Sequence, residues 1–351
     1  MKQQLIYTNR VDEAIEQVCS AIEYDRCFIL CDENSSRCVL PLLSSPRIDS
    51  ASVITMPVGE ENKSIDTLSM VWNALSEQGA TRHSLLINIG GGVVTDLGGF
   101  AAATFKRGIA CVNIPTTLLA AVDAAVGGKT GINFAGLKNE VGAFAEARAV
   151  IISTRFFSTL SHEELLSGFA EMIKHALIDG EAHYNDLLAC GIARSDGEAF
   201  MSLLQRSVEV KRRIVEQDPH EGGLRKSLNL GHTLAHAIES HALAHNRPVP
   251  HGYAVAWGLV CALILSHRLY QFPSSIIYDL ARYVYNQYGA YAITCDDYDE
   301  ILQYMQRDKK NKGEHINFTL LRNVGDCVVN ISVERKEIEI ALDFYRDLFH
   351  L

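Results

Sequence analysis

The stretch Leu85-Leu86-Ile87-Asn88-Ile89-Gly90-Gly91-Gly92 decides the fold of the first half of the chain. A short apolar strand runs directly into three glycines, and a helical pattern from Val93 to Ala103 follows them. Such a junction lets backbone N–H groups approach a phosphate at the N-terminus of a helix. The spacing is not the GxGxxG fingerprint, so a tight turn that needs positive φ explains the glycines equally well.

The residues after this junction combine charged or amide side chains with glycines and other small residues. This composition is typical of ligand-binding loops on a rigid scaffold. The polar residues of this region are Lys106, Arg107, Asp123, Lys129, Lys138 and Asn139.

Short β-rich runs alternate with helical patterns over the first 150 residues. The predicted strands are Cys27–Cys31, Ser52–Met56, Leu85–Ile89, Cys111–Ile114 and Ala149–Ile152. The predicted helices are Asp12–Ile22, Ser64–Gln78 and Val93–Ala103. This alternation predicts βαβ units and a Rossmann-like, mostly parallel α/β sheet, with ligands at the carboxyl ends of the strands.

The pattern changes after Thr154, where helical periodicity dominates. The predicted helices span about 161–178, 181–190, 197–218, 227–244, 251–269, 274–287 and 297–307. A single strand is expected at Ile316–Leu321. Because 351 residues exceed the roughly 250–300 at which single cores stop growing, we expect two domains. An α/β domain over 1–155 would precede an all-α domain over 156–351.

The composition excludes several classes of protein. The net charge of −10 and a pI near 5.7 argue against a nucleic-acid partner. The beginning of the chain has no apolar segment of a signal peptide, and the apolar run Ala254–Leu265 is too short for a membrane span. Nine cysteines without a CxxC pair indicate reduced thiols. We therefore expect a cytoplasmic protein without a membrane partner.

Three segments of the helical half offer metal ligands. Glu171 lies in the first, His232 and His236 lie one helical turn apart in the second, and His251 begins the third. Two histidines and one carboxylate form a catalytic Zn²⁺ set. An isolated HxxxH pair also occurs by chance on ordinary helices, and His175, His220, His241 and His245 are interpreted as ordinary packing or surface residues.

Basic residues recur in or beside these segments. In an acidic protein their convergence would require a bound phosphate or carboxylate, although each one alone could be a solvated surface charge. They are Lys174, Lys211, Arg225, Lys309 and Lys310.

An ordered set of motifs from about residue 55 to 325 resembles the 3-dehydroquinate synthase family. The order, more than any one motif, makes the resemblance specific. The motifs begin at Pro57-Val58-Gly59-Glu60, Gly90-Gly91-Gly92, Arg107-Gly108, Pro115-Thr116-Thr117, Val122-Asp123, Gly127-Gly128-Lys129, Lys138-Asn139, Gly168-Phe169-Ala170-Glu171, Arg225, Asn229-Leu230-Gly231-His232, His251-Gly252 and Asp308-Lys309-Lys310.

This resemblance implies a dehydroquinate synthase-like fold and a lyase of the shikimate pathway, which leads to chorismate and the aromatic amino acids. The substrate would be 3-deoxy-D-arabino-heptulosonate 7-phosphate, and the products would be 3-dehydroquinate and phosphate. The family reaction combines transient oxidation by NAD⁺, phosphate elimination, re-reduction and intramolecular aldol cyclisation. The cofactors would be NAD and Zn²⁺, with Co²⁺ as a possible metal.

The resemblance also implies roles for individual residues. The metal ligands would be Glu171, His232 and His251. The NAD site would comprise Glu60, Lys63, Gly91, Gly92, Val93, Asp96, Thr116, Thr117, Lys129, Lys138 and Thr159. The catalytic and substrate-binding residues would be Asp123, Lys129, Lys211, Arg225, Asn229 and His236, with Asn139, Lys174 and Lys309 or Lys310 at the phosphate. Arg107 would reach the site of a neighbouring subunit, which implies a homodimer.

The chain departs from the family pattern at three places. Tyr253 replaces a glutamate after His251-Gly252, so a carboxylate that could orient the ligand histidine is missing there. Glu140-Val141-Gly142 replaces a more apolar sequence, and Ser153 replaces an aspartate. We expect a normal fold with a metal affinity that Tyr253 could alter.

Three other functions fit parts of the pattern. A sister cyclase would act on a sugar phosphate without a carboxylate, such as sedoheptulose 7-phosphate or glucose 6-phosphate. Arg225, Asn229 and the Lys309-Lys310 pair favour the carboxylate-bearing substrate instead. A metal-dependent polyol dehydrogenase would release NADH in bulk. A non-catalytic, nucleotide-sensing relative would not need to retain every metal and lysine position.

Overall fold

The computed structural model describes residues 3–192, 195, 197–307 and 316–351. Backbone contacts divide the chain into two compact units. The first comprises Met1–Ser161 with Arg194–Val208, and the second comprises His162–Ala193 with Glu209–Leu351. The assignment of NAD binding to residues 1–155, and of metal and substrate binding to residues 156–351, stays a prediction.

A six-stranded sheet forms the centre of the first unit. Its strands are β1 (Gln4–Tyr7), β2 (Cys27–Asp32), β3 (Ser52–Met56), β4 (Leu85–Gly90), β5 (Ala110–Pro115) and β8 (Ala149–Ile152). They lie in the order β1-β8-β5-β4-β2-β3, and every neighbouring pair is parallel. The predicted parallel α/β sheet is confirmed, and β1 is a strand that the sequence analysis missed.

Helices cover both faces of this sheet, which is why its central strands are apolar on both sides. They are α1 (Val11–Ser20), α2 (Glu33–Cys38), α3 (Pro46–Asp49), α4 (Ile65–Glu77) and α5 (Gly92–Thr104). Ile29 and Ile87 pack in a core with residues of α1 and α3. Phe28 and Leu86 point the other way, into a core with residues of α4 and α5.

The triple-glycine turn lies where the connections of the sheet reverse direction. The chain leaves β2 toward β3 on one side and leaves β4 toward β5 on the other. The carboxyl ends of β2 and β4 therefore border a topological switch point, where open α/β sheets bind ligands. Gly90 is the last residue of β4, so the predicted phosphate-binding turn occupies the position that the topology favours.

A β-hairpin of β6 (Lys129–Phe134) and β7 (Leu137–Phe144) also belongs to the first unit. Its turn residues Ala135 and Gly136 both have positive φ, as a type I′ hairpin turn requires. The sequence analysis does not predict this hairpin, because its strands are rich in glycine, lysine and asparagine rather than β-branched residues.

Helices dominate the second half of the chain, as predicted. They are α6 (His162–Asp179), α7 (Glu181–Cys190), α8 (Glu198–Gln217), α9 (His232–Ala244), α10 (His251–Tyr270), α11 (Ser274–Tyr288), α12 (Tyr298–Arg307) and α13 (Arg335–Leu348). The helix expected at 227–244 is shorter than predicted. A 3₁₀ segment, Leu224–Asn229, precedes it, and Gly231 with φ +78° separates the two.

The second unit also contains an antiparallel hairpin of β9 (Ile316–Asn323) and β10 (Asp326–Val333). The sequence analysis anticipates only part of β9, and it misses β10 and α13. The signal for α13 is present in the sequence, because Ile338, Ala341, Leu342 and Tyr345 recur at helical spacing and are buried.

The helix α10 is the only described helix that is long and apolar enough to cross a membrane by length and composition. However, 78% of its most apolar stretch is buried within the protein. It packs against α6, α9, α11 and α13. We therefore interpret it as the central core helix of the second unit.

Glycines allow α6, α9 and α10 to approach one another closely. A Cβ atom on Gly252 would overlap the backbone carbonyl of Ser167 in α6, and one on Gly258 would overlap the carbonyl of Gly231. The Gly252 N–H also donates to Ser167 Oγ at 3.1 Å. These contacts place the first turn of α10 against α6, and the beginning of α9 against the third turn of α10.

Substitution of Gly252 by alanine tests this packing. We expect Gly252→Ala to lower the free energy of unfolding by about 1–3 kcal/mol, since the backbone of α6 or α10 must shift to admit the methyl group. Urea unfolding of the metal-free protein is the measurement. Gly222→Ala is the control, because its nearest neighbour would be an ordinary 3.6 Å contact with Asp218. Equal stability of the two variants would contradict the packing argument.

Candidate active site

The predicted metal ligands come together in the second unit. Glu171 lies in the middle of α6, whereas His232 and His251 are the first residues of α9 and α10. Their ligand atoms all lie within 4.8 Å of one another. Glu171 Oε1 is 3.3 Å from His232 Nε2 and 3.3 Å from His251 Nε2.

These distances suit a shared divalent cation. Ligand atoms that lie about 2.0–2.1 Å from Zn²⁺ at tetrahedral angles are themselves about 3.4 Å apart. Two imidazoles and one carboxylate are also a donor set that leaves one tetrahedral position for a substrate or water. The residues present therefore fit a catalytic metal.

Their surroundings shift the pKa values of all three groups. Burial by itself raises the pKa of Glu171, but Lys174 and His232 outweigh it and hold the pKa well below its ordinary value. Burial and the charge of Lys174 lower the pKa of His232 to about 4. Burial likewise lowers the pKa of His251, but hydrogen bonds to Glu171 and Glu239 outweigh it and raise the pKa to about 10.

Both candidate histidine ligands are oriented through Nδ1, which leaves Nε2 directed at Glu171. His232 Nδ1 is 3.2 Å from the Leu230 carbonyl oxygen, and His251 Nδ1 is 3.3 Å from Glu239 Oε2. Such contacts fix the tautomer and the ring orientation of metal-bound histidines. Sequence reasoning missed Glu239, although it lies seven residues after His232 on the same face of α9.

The expectation that Tyr253 deprives His251 of an orienting carboxylate is wrong, because Glu239 supplies one. Tyr253 instead joins an aromatic cluster. Its ring centroid lies 6.0 Å from that of Trp257 and 5.1 Å from that of Tyr288.

Two further predicted residues adjoin the metal ligands. The exposed His236 ring lies 5.5 Å from the His232 ring and 6.2 Å from the His251 ring, centroid to centroid. Lys174 is buried, and its ammonium group pairs with Glu171 Oε2. An imidazole and an ammonium group thus flank the carboxylate and histidine ligands.

A second group of predicted residues belongs to the loop before α9. Asp218 accepts the backbone N–H groups of Gly222 at 2.8 Å, Gly223 at 2.7 Å and Arg225 at 3.0 Å. The buried Arg225 side chain donates to the Pro219 carbonyl. Asn229 donates to Glu221 Oε1 at 2.9 Å, and Lys211 on α8 is also buried. Lys309 and Lys310 lie outside the described residues.

The triple-glycine turn of the first unit does not need positive φ. None of Gly90, Gly91 and Gly92 adopts it, so the tight-turn explanation is wrong. Gly91 is the N-cap of α5, and a Cβ atom there would lie 3.2 Å from the Thr117 side chain. Glycine keeps the backbone N–H groups of the first turn accessible, which suits an anionic ligand such as a pyrophosphate.

Lys63 connects three segments beside this turn. Its buried Nζ lies 2.6 Å from Asp96 Oδ2 on α5 and 2.5 Å from Asn139 Oδ1 on β7. Asn133 on β6 donates to Glu60 Oε1 at 2.9 Å and accepts the Asn139 N–H at 2.8 Å. The structure therefore brings together three predicted NAD residues, and it places Asn139 with them. Sequence reasoning missed Asn133.

The remaining predicted residues lie on nearby elements of the first unit. Asp123 belongs to a π-helical turn, Ala120–Ala124, and such turns are frequent at functional sites. Lys129 and Lys138 are exposed on the hairpin, Thr159 ends a 3₁₀ segment, and the exposed Arg107 has φ +69°.

Val93, Thr116 and Thr117 border the triple-glycine turn, and the Thr116 N–H donates to the Gly90 carbonyl at 2.9 Å.

Two family models match consecutive parts of the chain. The 3-dehydroquinate synthase N-terminal model matches residues 53–167, and the C-terminal model matches residues 168–311. The chain belongs to the 3-dehydroquinate synthase family. The resemblance inferred from the motifs is thereby confirmed. A 3-dehydroquinate synthase of Parabacteroides distasonis is 47% identical to this family member over 349 residues, which cover 99% of each chain.

Solved structures confirm the dehydroquinate synthase-like fold. The structure of 2-epi-5-epi-valiolone synthase from Streptomyces hygroscopicus subsp. jinggangensis 5008, with NAD⁺ and Zn²⁺ bound, matches with a TM-score of 0.86 at 25% identity. The match covers 99% of this family member and 97% of that chain. A glycerol dehydrogenase from Schizosaccharomyces pombe matches with a TM-score of 0.66 at 14% identity, covering 99% of this chain and 90% of that chain. That second similarity shows the fold alone.

The contact between Glu239 and His251 leads to a prediction about metal affinity. We expect Glu239→Gln to weaken Zn²⁺ binding by about 10–100-fold, because the neutral amide orients His251 less well and lowers its basicity. Competition with a chelating dye measures the affinity. Tyr253→Glu should leave it unchanged, since the Tyr253 ring contacts Trp257 and Tyr288. Wild-type affinity in Glu239→Gln would disprove the positioning role.

Proposed function

We propose that this chain converts 3-deoxy-D-arabino-heptulosonate 7-phosphate into 3-dehydroquinate and phosphate. The observation that carries the proposal is the convergence of Glu171, His232 and His251 on one metal-sized space in a member of the 3-dehydroquinate synthase family. In this proposal the reaction is a transient oxidation, phosphate elimination, re-reduction and ring closure, with no net redox change.

Glu171, His232 and His251 would hold the metal, Zn²⁺ or Co²⁺. When bound, it lowers the pKa of a substrate hydroxyl and stabilises the resulting charge. The Nε2 atoms of both histidines point toward the buried carboxylate. They do so because the Leu230 carbonyl and the Glu239 carboxylate contact the Nδ1 atoms. His236, one turn after His232, would transfer the proton of the hydroxyl that is oxidised.

The first unit would bind NAD, which supplies a hydride acceptor and returns the hydride later in the same turnover. Gly91, Gly92 and Val93 would present N–H groups to its pyrophosphate. The network around Lys63 supports this, because it fixes the neighbouring side chains before a ligand arrives. The other proposed contacts are Glu60, Asp96, Thr116, Thr117, Lys129, Lys138 and Thr159.

The remaining polar residues would bind the substrate. Arg225, held by Asp218 and the Pro219 carbonyl, and Asn229 would bind the carboxylate and neighbouring hydroxyls. Lys129 and Lys211 would stabilise developing oxyanions. Asp123 would bind a hydroxyl. The phosphate would be met by Asn139, Lys174 and one of Lys309 and Lys310.

Two features of the proposal concern the whole molecule. We infer a homodimer, in which the exposed Arg107 reaches the site of the other subunit, and we infer a cytoplasmic location. The substrate is a small sugar phosphate, and neither nucleic acid nor a membrane takes part. A sister cyclase that acts on sedoheptulose 7-phosphate, and a polyol dehydrogenase, are the alternative activities.

Phosphate release tests the proposed function. With 3-deoxy-D-arabino-heptulosonate 7-phosphate, NAD⁺ and Zn²⁺, we expect phosphate to be released while no NADH accumulates, since each hydride is returned before product leaves. A chelator or the omission of NAD⁺ should abolish the release. Turnover of sedoheptulose 7-phosphate instead, or accumulation of NADH with polyols, would contradict the proposal and support an alternative.

The loop that holds Arg225 leads to a further prediction. Backbone hydrogen bonds from Gly223, Arg225 and Gly222 lower the pKa of Asp218. The ionised Asp218 carboxylate therefore stabilises the loop fully at any pH above the ordinary carboxyl pKa. This stabilisation is lost only as the pH falls through the lowered pKa. At neutral pH, Asp218→Asn should raise the substrate KM several-fold with little change in kcat, because Arg225 is misplaced rather than removed.

Steady-state kinetics measure this effect. Asp326→Asn is the matched control, since Asp326 is exposed and pairs with Arg322 on the β9–β10 hairpin. An unchanged KM in Asp218→Asn would show that the loop carboxylate does not position Arg225 for binding.

A further inference from the structure

A second cluster of potential metal ligands lies at the carboxyl-terminal end of α9. His241 lies in the last turn of α9, and His245 is the C-cap residue that follows it. Asp297 ends the 3₁₀ segment Cys295–Asp297, and Glu300 lies in the first turn of α12. The His241 side chain is 0% exposed, whereas Asp297, Glu300 and His245 are 25%, 40% and 43% exposed. From the sequence, both histidines are interpreted as ordinary packing or surface residues.

The spacing of this cluster matches a coordination shell better than a hydrogen-bond network. His241 Nε2 is 3.5 Å from Asp297 Oδ1 and 3.8 Å from Glu300 Oε2, and His245 Nε2 is 3.7 Å from the same Glu300 oxygen. Good N–H···O hydrogen bonds are about 2.7–3.2 Å long. Two ligands of one tetrahedral Zn²⁺ are about 3.4 Å apart. His241, His245 and Glu300 therefore need only small shifts to share a cation.

The Nε2 atom of His241 is the strongest indication that this cluster binds a cation. It is fully buried, and within the part of the chain that the structure describes it makes no hydrogen bond. Buried polar atoms are rarely left in this state, and each case requires an explanation such as an ion. The atom faces the carboxylates of Asp297 and Glu300, so a cation between them would satisfy it.

Neighbouring groups hold each side chain by the atom that points away from the cluster. His241 Nδ1 lies 2.7 Å from Tyr291 Oη, and His245 Nδ1 lies 2.8 Å from the His241 carbonyl oxygen. Nδ1 of each ring can thus carry the proton, which leaves a lone pair on Nε2. This is the orientation that second-sphere contacts impose on metal-binding histidines.

The two carboxylates are held in the same way. Asp297 Oδ2 accepts the Thr294 N–H at 2.7 Å and the Thr294 hydroxyl at 3.0 Å, which leaves Oδ1 toward His241. Glu300 Oε1 accepts the Tyr304 hydroxyl at 3.0 Å, which leaves Oε2 toward both histidines. The ligand atoms of His241, His245 and Glu300 all lie within 4.8 Å of one another. Asp297 faces His241 from beside this group.

We propose that this end of α9 carries a second divalent-metal site, separate from the one at Glu171. Its ligands are His241, His245 and Glu300, with Asp297 beside His241. Two imidazoles and one carboxylate favour Zn²⁺ or a related transition ion over Mg²⁺ or Ca²⁺, which prefer oxygen ligands. The site goes beyond the proposed function, because none of these residues belongs to the candidate active site.

A cation here would cross-link α9 to the beginning of α12. His232, at the other end of α9, is nine residues before His241, a rise of about 13 Å along the helix. Metal ions would then anchor both ends of the helix that carries His232, His236 and Glu239. The expected role of the second ion is structural, and its effect should be on stability rather than on the chemistry of the substrate.

Metal stoichiometry tests the proposal. Full-length protein is freed of metal, dialysed against Zn²⁺ and analysed for bound zinc per chain. We expect about two ions in the wild type and in the control His83→Gln, and about one in His245→Gln and in Glu300→Gln. The last two residues are partly exposed, so both variants should fold, as far-UV circular dichroism would verify.

A Glu171→Gln variant separates this proposal from the proposed function. If the second site exists, Glu171→Gln still binds one Zn²⁺, and the combination with Glu300→Gln binds none. The second site is supported if His245→Gln and Glu300→Gln each bind one ion fewer than His83→Gln. This holds even if the site at Glu171 fails to bind metal. Equal stoichiometry in these variants and the control overturns it, and the cluster is then only a set of ion pairs.

Discussion

The buried carboxylate of Glu171 is the constraint on which the second unit depends. An ionised carboxylate that is fully removed from water costs several kcal/mol unless cations or hydrogen-bond donors surround it. Lys174 offers the nearest positive charge from the same helix, and His232 and His251 offer Nε2 atoms from two others. The three helices must therefore converge, and their convergence creates a space of the size of a metal ion.

This convergence requires close backbone contact, and glycine provides it. Gly252 and Gly258 lie where α10 meets α6 and the beginning of α9, and neither position has room for a Cβ atom. The same face of α9 then serves several purposes. His232 and His236 line the candidate metal site, and Glu239 orients His251 from one turn further along.

Much of the fold could be predicted from the sequence, because buried parallel strands are short apolar runs. The predicted strands Ser52–Met56 and Ala149–Ile152 have the observed bounds. The hairpin of β6 and β7 could not be predicted in this way, since it depends on docking. Gly99 of α5 lies so close to Thr130 that a Cβ atom would be 2.5 Å from its methyl group. Contact with the helix, rather than strand propensity, accounts for β6.

The sequence by itself determined the family and the candidate ligands. The order and spacing of short motifs can be recognised without any knowledge of how the chain packs. Helical periodicity also predicted that His232 and His236 share a face. Only the tertiary structure decided which distant groups meet. Glu239 reaches His251, Lys63 lies between Asp96 and Asn139, and His241 faces Glu300. The physical reason is that periodicity indicates the face on which a side chain lies, whereas its partner depends on how closely the backbones of separate elements can pack.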